Sequence, residues 1–269
     1  MTSIPRAIGQ VTCIVIAGAD ARRFAQAQFS GDVDALTPGH WQWNAWLTAQ
    51  GRVRALMHLA DVGDGRLLAV LRGGDAEAIC AGLARFVFRM RVTLAVAGFT
   101  AFAGEATPDG TVSIDADGAI MLGYGARSLH LSPVTAAIDP AAPTEWRLQD
   151  IRQGWPCLPA DGEPGFLPPA LGLEHLGAVA FAKGCYPGQE IAARLHYRGG
   201  HKFRLCHIHG PKPLPPGSVQ GGAGAPKAWV LDAVNGQEGA QALVVVPIGT
   251  PMRINILECI YSVISMFDA

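Results

Sequence analysis

The chain has 269 residues, 49% hydrophobic and 16% charged, with 21 Lys and Arg against 22 Asp and Glu for a net charge of −1. That composition can bury a core without disulfides or a metal, and it excludes a disordered chain. It lacks the basic excess of a general nucleic-acid binder, and no run reaches the ~18 apolar residues of a membrane helix. Arg6 stands without an adjoining apolar run and cleavage site, so no signal peptide is read and a cytoplasmic location is expected. The cysteines, at 13, 80, 157, 185, 206 and 259, form no C-x-x-C pair, which argues against a zinc knuckle and a thioredoxin-type motif.

Residues 13–16 form a short apolar strand, and Asp20 is placed to cap a helix over 21–29. Trp41, Trp43 and Trp46 crowd an extended stretch in which Trp41 and Trp43 share a face. Core packing and stacking on a flat ligand are both open to them. Residues 50–52 turn into a strand over 53–59, and Asp64-Gly65 makes a hairpin with the returning strand 67–71. Asp75 opens a helix in which Ile79, Leu83 and Phe86 recur at helical spacing. A strand over 92–96 follows, then strands between 111 and 131 punctuated by Asp109-Gly110 and Asp117-Gly118. Residues 138–143 read as a linker, 145–153 as a helix stopped at Gly154, and 159–169 as an irregular loop. Short strands over 203–208, 229–234 and 242–246 are separated by Pro-rich and Gly-rich sequence. The interleaving has no βαβ rhythm, so an α+β class is expected. Residues 1–202 form one region, itself two sub-domains joined near 138–144, and 203–269 a small C-terminal β-barrel.

The chemistry concentrates in 181–202. Pro187 stands where a helix can begin, Gln189 and Glu190 fall in its first turn, and Gly199-Gly200 ends it. Cys185 then lies just before a helix N-terminus with Lys183 two residues away. Both favour a thiolate, which marks Cys185 as the reactive cysteine. Gly184 beside it lets backbone approach a ligand. Lys183, Arg194, Arg198, Lys202 and Arg204 accompany one acid, Glu190. That patch suits a small polycarboxylate or phosphate, and a solvated helix face would look the same. Arg194 and Arg198 are one turn apart and can meet one anion. His207 and His209 have strand spacing with His201 and Cys206 nearby, but no acid or cysteine pair completes a set, so no metal site is read.

The segment Lys183-Gly-Cys-Tyr-Pro-Gly-Gln-Glu190 resembles the K-G-C-[FY]-x-G-Q-E signature of the YgfZ family. These are folate-binding proteins related to T-protein, the aminomethyltransferase of the glycine cleavage system. Weaker similarities run over most of 10–210. Gln28 with Asp32-Val33 is one, Trp146-Arg147 with Ile151, Gly154 and Pro156 another, and Phe166 to Pro168 with Leu171 to Leu173 a third. The resemblance implies a T-protein-like α+β folate-binding fold capped by a β-barrel. It implies tetrahydrofolate, in polyglutamylated form as well, as the cofactor. The binding residues it implies are Lys183, Gly184, Tyr186, Gly188, Gln189, Glu190, Arg194, Arg198 and Lys202, with Cys185 as the functional thiol. It further implies assembly or repair of iron–sulfur enzymes, with those enzymes or assembly factors as partners of a monomer.

Two departures matter. T-proteins carry a G-G-x-[IV]-D-D-L-type strand, and the aligned positions here are Ala55 and Leu56, which cannot serve as acid, base or ion partner. A true one-carbon transferase would need another carboxylate, such as Asp61 or Glu174. A binding module in which Cys185 is merely packed is the third reading. The end of the chain, 251–269, does not resemble the close of a family barrel, and 254–264 is unusually apolar for an edge.

Overall fold

The structure is a computed structural model and describes residues 6–160, 165–219, 228–236 and 239–267. Its elements in chain order begin with β1 (Arg6–Ala17), α1 (Ala21–Gln28), β2 (His40–Leu47), β3 (Val53–Asp61), β4 (Leu67–Leu71), α2 (Ala76–Ala84) and β5 (Thr93–Gly104). They continue with β6 (Val112–Ile114), β7 (Ile120–Gly123), β8 (Ser128–Ser132), α3 (Ala142–Gln153) and α4 (Gln189–Arg198). The last are β9 (Phe203–Gly210), β10 (Gly217–Val219), β11 (Ala228–Gly236), β12 (Gly239–Pro247), β13 (Arg253–Ile256) and β14 (Cys259–Met266).

An eight-stranded antiparallel sheet in the order β2-β3-β4-β1-β5-β8-β7-β6 takes the first half. Its two edges meet: Trp41 N–H donates to Gly110 O (2.8 Å) and Val112 N–H to Gly39 O (2.7 Å). The sheet therefore curls until β2 lies against the start of β6, which leaves no long unpaired edge there. The period-2 alternation sorts its side chains onto two faces. Trp41, Trp43, Val70 and Leu131 point into the larger core, whereas Trp46, Met57 and Ile14 pack beneath the helices with Phe24 of α1 and Leu83 of α2.

Helix α2 starts where the sequence indicates, because the Asp75 carboxylate accepts the N–H groups of Glu77 and Ala78. Asp20 does not cap α1 with its side chain. Its carboxylate instead accepts Arg91 N–H at 2.8 Å, tying the helix start to the chain entering β5. Helix α3 begins at Ala142, inside the stretch read as linker, with a Pro in its first turn and Gly154 closing it at φ 68.

The second sheet has the order β10-β11-β12-β9-β14-β13. Strand β12 is buried along both faces, and its alternation shows why its sequence is continuously apolar. Ala242, Val244 and Val246 enter the sheet's own core, whereas Leu243 and Val245 join the core shared with the first sheet. Both edge strands contribute to the former core, through Val219 of β10 and Ile254 of β13, so the sheet curves around it. The apolar chain end forms the β13–β14 hairpin, turned by Leu257 and Glu258 in left-handed conformation, and β14 pairs with β9. Tyr261 and Val263 are buried, whereas Ile260 and Ile264 face outward. The class is α+β, as the sequence implies.

Candidate functional site

The signature segment is anchored beside the first sheet through Lys183 and Gly188 and braced internally through Tyr186 and Gln189. The Lys183 ammonium turns inward and donates to Phe29 O and Gly31 O, both at 2.7 Å. Burial holds its pKa down to about 8, against the opposing pull of Asp32 and Asp34. The buried Tyr186 ring lies 5.2 Å from that ammonium, and its hydroxyl donates to Ala180 O. Gln189 Nε2 donates to Lys183 O at 3.3 Å. Gly188 adopts φ 77, and a Cβ there would lie 2.5 Å from Thr48 O and 2.8 Å from Gly51 Cα, so only glycine lets the loop seat on the β2–β3 turn. Gly188 also precedes the first residue of α4, which places the helix start two residues after Pro187 rather than at it. With Lys183, Tyr186, Gly188 and Gln189 as anchors, Cys185 is presented to solvent, as are Gly184 and Glu190. The glycine at 184 has open space around it.

On α4, Ala192 and Leu195 are buried and Arg194, His196 and Arg198 are exposed. Arg194 and Lys202 enter one pocket, with Phe166 and Trp229 in its wall. Arg198 is not part of that lining. The residues expected to gather around a ligand therefore divide three ways. Lys183, Tyr186, Gly188 and Gln189 hold the loop, Gly184, Cys185, Glu190 and Arg198 face solvent, and Arg194 and Lys202 line a side pocket.

A different and more elaborate site lies between the two sheets, walled by β1, the end of β4, α3 and β11. It is a cavity of about 490 Å³, within the ~300–1,000 Å³ of small-molecule sites. Helix α3 supplies its charged wall. The Asp150 carboxylate accepts Arg72 Nη2 at 2.8 Å through Oδ2 and Arg127 Nη2 through Oδ1. Arg127 also donates to Trp146 O and Gln153 Oε1, and its guanidinium lies 4.1 Å over the Trp146 ring. Two turns of α3 thus grip Arg127 from Trp146, Asp150 and Gln153, all on one helix face. On the neighbouring face Arg147 forms an ion pair with Asp232 of β11. Burial disfavours the charge on both Arg72 and Arg127. At Arg72 the carboxylate of Asp150 outweighs this and raises the pKa, whereas at Arg127 burial wins and lowers it.

The cavity lining also includes His58 and Tyr124, part of an aromatic cage around His58. Its ring lies 4.1 Å from Trp43 and 4.5 Å from Trp41, and its Nδ1 is 2.6 Å from the Tyr124 hydroxyl. Burial, then Arg72 and Arg127, hold the His58 pKa well below its ordinary value, so the imidazole is neutral. His58 Nε2 and Arg127 Nε are buried without a hydrogen-bond partner. The Trp41–Trp43 pair is thus core that surrounds a polar centre. Cys157 also lines the cavity, its thiol pushed up by burial.

Sequence reading missed Arg72, Arg127, Asp150, His58 and Tyr124, because each finds its partner 23 or more residues away. The Trp146-Arg147 and Pro156 similarity was the one signal that pointed at this wall. Ala55 and Leu56 are wholly buried core residues of β3. The two carboxylates raised as substitutes are engaged elsewhere: Asp61 with Arg22 at 2.5 Å and Glu174 with His196 at 2.6 Å. Among the described residues no three His, Cys, Asp or Glu side chains gather as a metal site, and no helix is long and apolar enough to cross a membrane.

No protein-family model matches the chain. Curated relatives do. A tRNA-modifying protein YgfZ of Cronobacter sakazakii is 28% identical over 232 residues, covering 75% of this chain and 70% of that protein. The protein of the same description from Escherichia coli O157:H7 is 27% identical over 223 residues, covering 72% and 68%. An uncharacterized Haemophilus influenzae protein is 30% identical over 200 residues, covering 72% and 69%. Among solved structures, the glycine cleavage system aminomethyltransferase T of Bartonella henselae superposes with a TM-score of 0.69 at 15% identity, over 97% of this chain and 86% of that one. With the signature loop, the two-sheet fold and these relatives in agreement, the chain belongs to the YgfZ family and has the fold of aminomethyltransferase T.

Proposed function

We propose that the protein binds tetrahydrofolate in the cavity between the two sheets and serves the assembly or repair of iron–sulfur enzymes, with Cys185 as its working thiol. The observation that carries the folate reading is the cavity wall. A flat, polar heterocycle needs fixed donors and acceptors beside apolar surface. Here the Arg72–Asp150 and Arg147–Asp232 ion pairs line the cavity together with Ile8, Leu71 and Leu129. The T-protein fold and the YgfZ kinship support the same ligand. The exposure of Cys185 on a loop anchored at Lys183, Tyr186 and Gly188 supports the thiol role, since a rigidly presented, accessible sulfur can meet a protein partner.

Aminomethyl transfer is the less favoured reading. The carboxylates lining the cavity, Asp150 and Asp232, are both in guanidinium salt bridges, which leaves neither open for acid–base work. An assay with the aminomethyl-loaded lipoyl carrier is expected to give background turnover only. The relatives' description as tRNA-modifying fits a client enzyme acting on tRNA, given a chain of net charge −1.

The test is an anaerobic tetrahydrofolate titration followed by tryptophan fluorescence, on the native chain and on Leu231→Trp. That substitution puts an indole into the half-buried cavity wall. Saturable binding that weakens at least about tenfold in a folded Leu231→Trp variant is expected. Equal affinity in the two proteins would move the ligand elsewhere, and no binding to either would remove the folate reading.

A further inference from the structure

Strand β5 is paired on both sides for only part of its length. Its register with β1 runs from Thr93 to Ala103, whereas β8 pairs with it only from Thr100 to Gly104. The ladder stops there because Pro133 follows Ser132, and a proline has no N–H to give. The chain then leaves the sheet, and Asp139 N–H donates to Ala7 O at 3.0 Å. Along 93–99 the backbone groups that point away from β1 have no hydrogen-bond partner among the described residues. At ~3.4 Å per residue this open edge is about 24 Å long. Thr93, Ala95 and Gly98 are exposed, and none of the seven residues is buried.

We propose that this edge pairs antiparallel with the same edge of a second copy of the chain, about a twofold axis at Val96, to form a reversible homodimer. The segment Thr93-Leu-Ala-Val-Ala-Gly-Phe99 has none of the charges or prolines that ordinarily guard a sheet edge. Other open strands are short, charged or covered. The outer strands β10 and β13 of the second sheet have three and four residues, and β13 carries Arg253. The part of β11 beyond its pairing with β10 lies against α3, where Arg147 donates to Ala233 O at 2.9 Å. The free side of β1 lines the cavity.

The edge's own side chains give the reason for a second copy as occupant. Alternation puts Leu94, Val96 and Gly98 on the helix-bearing face, since Leu94 and its β1 partner Ile16 both pack in the core beneath α1 and α2. Thr93, Ala95, Ala97 and Phe99 take the opposite face. Reversed on itself about Val96, the strand sets Leu94 against Gly98, Phe99 against Thr93 and Ala95 against Ala97. Each large side chain off the axis meets a small one, and no charge meets its like. A charged peptide or a nucleic-acid strand finds no counter-charge along these seven residues. Each copy offers one such edge among the described residues, so pairing closes at two. Seven residues a side is well below the ~20–30 of a stable interface, so the dimer is weak, and the monomer that the family resemblance implies is its dilute form.

The experiment measures weight-average mass by analytical ultracentrifugation at loadings from about 1 to 300 μM, a span that covers weak association. It uses the native chain, Ala95→Lys and Ile264→Lys, with folding checked by circular dichroism. Ala95→Lys places a guard charge at an exposed position of the edge, and Ile264, 55% exposed on β14, lies outside it. The native mass is expected to rise from 28.3 kDa toward twice that value and no further. Association should weaken at least about tenfold in Ala95→Lys, stay unchanged in Ile264→Lys, and hold at about 0.5 M salt, since no charges meet across the axis. Hydrogen exchange on the native chain reads the edge without a substitution: amides within 93–99 should exchange more slowly as concentration rises. A mass that stays at the monomer value, or one that climbs past twice that value, overturns the proposal. So does a dimer that survives Ala95→Lys or that is lost in Ile264→Lys, and so does concentration-dependent protection that spares 93–99.

Discussion

Replacing Asp150 by leucine tests the charged wall most severely. The side chains of Arg127, Asp150 and Arg72 are 5%, 7% and 14% exposed, so this triad lies in the buried regime where solvent screens little. Asp150→Leu keeps the branching at Cγ but leaves two guanidiniums without a counter-charge. Breaking a buried pair from one side costs about 3–5 kcal/mol. At ~2–4 °C per kcal/mol for a chain of this size, the melting temperature should fall by roughly 6–20 °C. The penalty comes from stranded charge rather than lost attraction, so removing all three charges should undo most of it. Arg72→Met, Arg127→Met and Asp150→Leu combined should lie within about 2 kcal/mol of the native chain, the remainder reflecting the lost stacking of Arg127 on Trp146. Urea and thermal unfolding followed by circular dichroism would measure both. A loss below about 1 kcal/mol in Asp150→Leu, or a triple variant no more stable than the single one, would refute the reasoning.

Two other perturbations have outcomes set by the structure. Gly188→Ala should cost about 1–3 kcal/mol, since it meets both a positive φ and a clash with Thr48 O, whereas Gly184→Ala, with open space around it, should change stability by under about 0.5 kcal/mol. Equal losses in urea unfolding would remove the claim that Gly188 seats the loop. For His58, the folded pKa lies well below the ordinary 6.5, so above 6.5 neither state holds the proton; just below it only the unfolded chain does, and stability is lost as the pH drops. Unfolding measured from pH 7 to 5 should show a slope up to about 1.4 kcal/mol per unit steeper in the native chain than in His58→Gln, and parallel curves would contradict a neutral buried imidazole.

The elements read locally were those whose signals are local. The Asp64-Gly65 hairpin, the Asp75 cap and the alternation of Trp41 and Trp43 against Trp46 all involve neighbours within a few residues. The signature segment was legible as a motif, but the destination of its lysine was not. Lys183, two residues before Cys185, reads as a partner for the sulfur, yet its ammonium bonds to carbonyls some 150 positions upstream. Asp20 shows the same limit, because a capping residue can spend its carboxylate on another strand. The central site was invisible for the strongest form of this reason. Arg72, Arg127 and Asp150 carry no periodic or motif signal, and only the packing of α3 across both sheets brings them together. Closure of the first sheet through Gly39 and Val112 likewise has no local cue.

The location of the folate is the central claim, and two cysteines report on it from opposite positions. Cys157 lines the cavity, whereas Cys185 is on the exposed loop. The direct measurement is alkylation of each, resolved by mass spectrometry, during an anaerobic tetrahydrofolate titration at alkaline pH, where the buried Cys157 thiol reacts at a measurable rate. The account predicts that Cys157 becomes protected with the same midpoint as the fluorescence change, while Cys185 continues to react at its ligand-free rate. Protection of Cys185 with Cys157 unaffected would place the ligand on the loop and α4, and would contradict the cavity as the folate site.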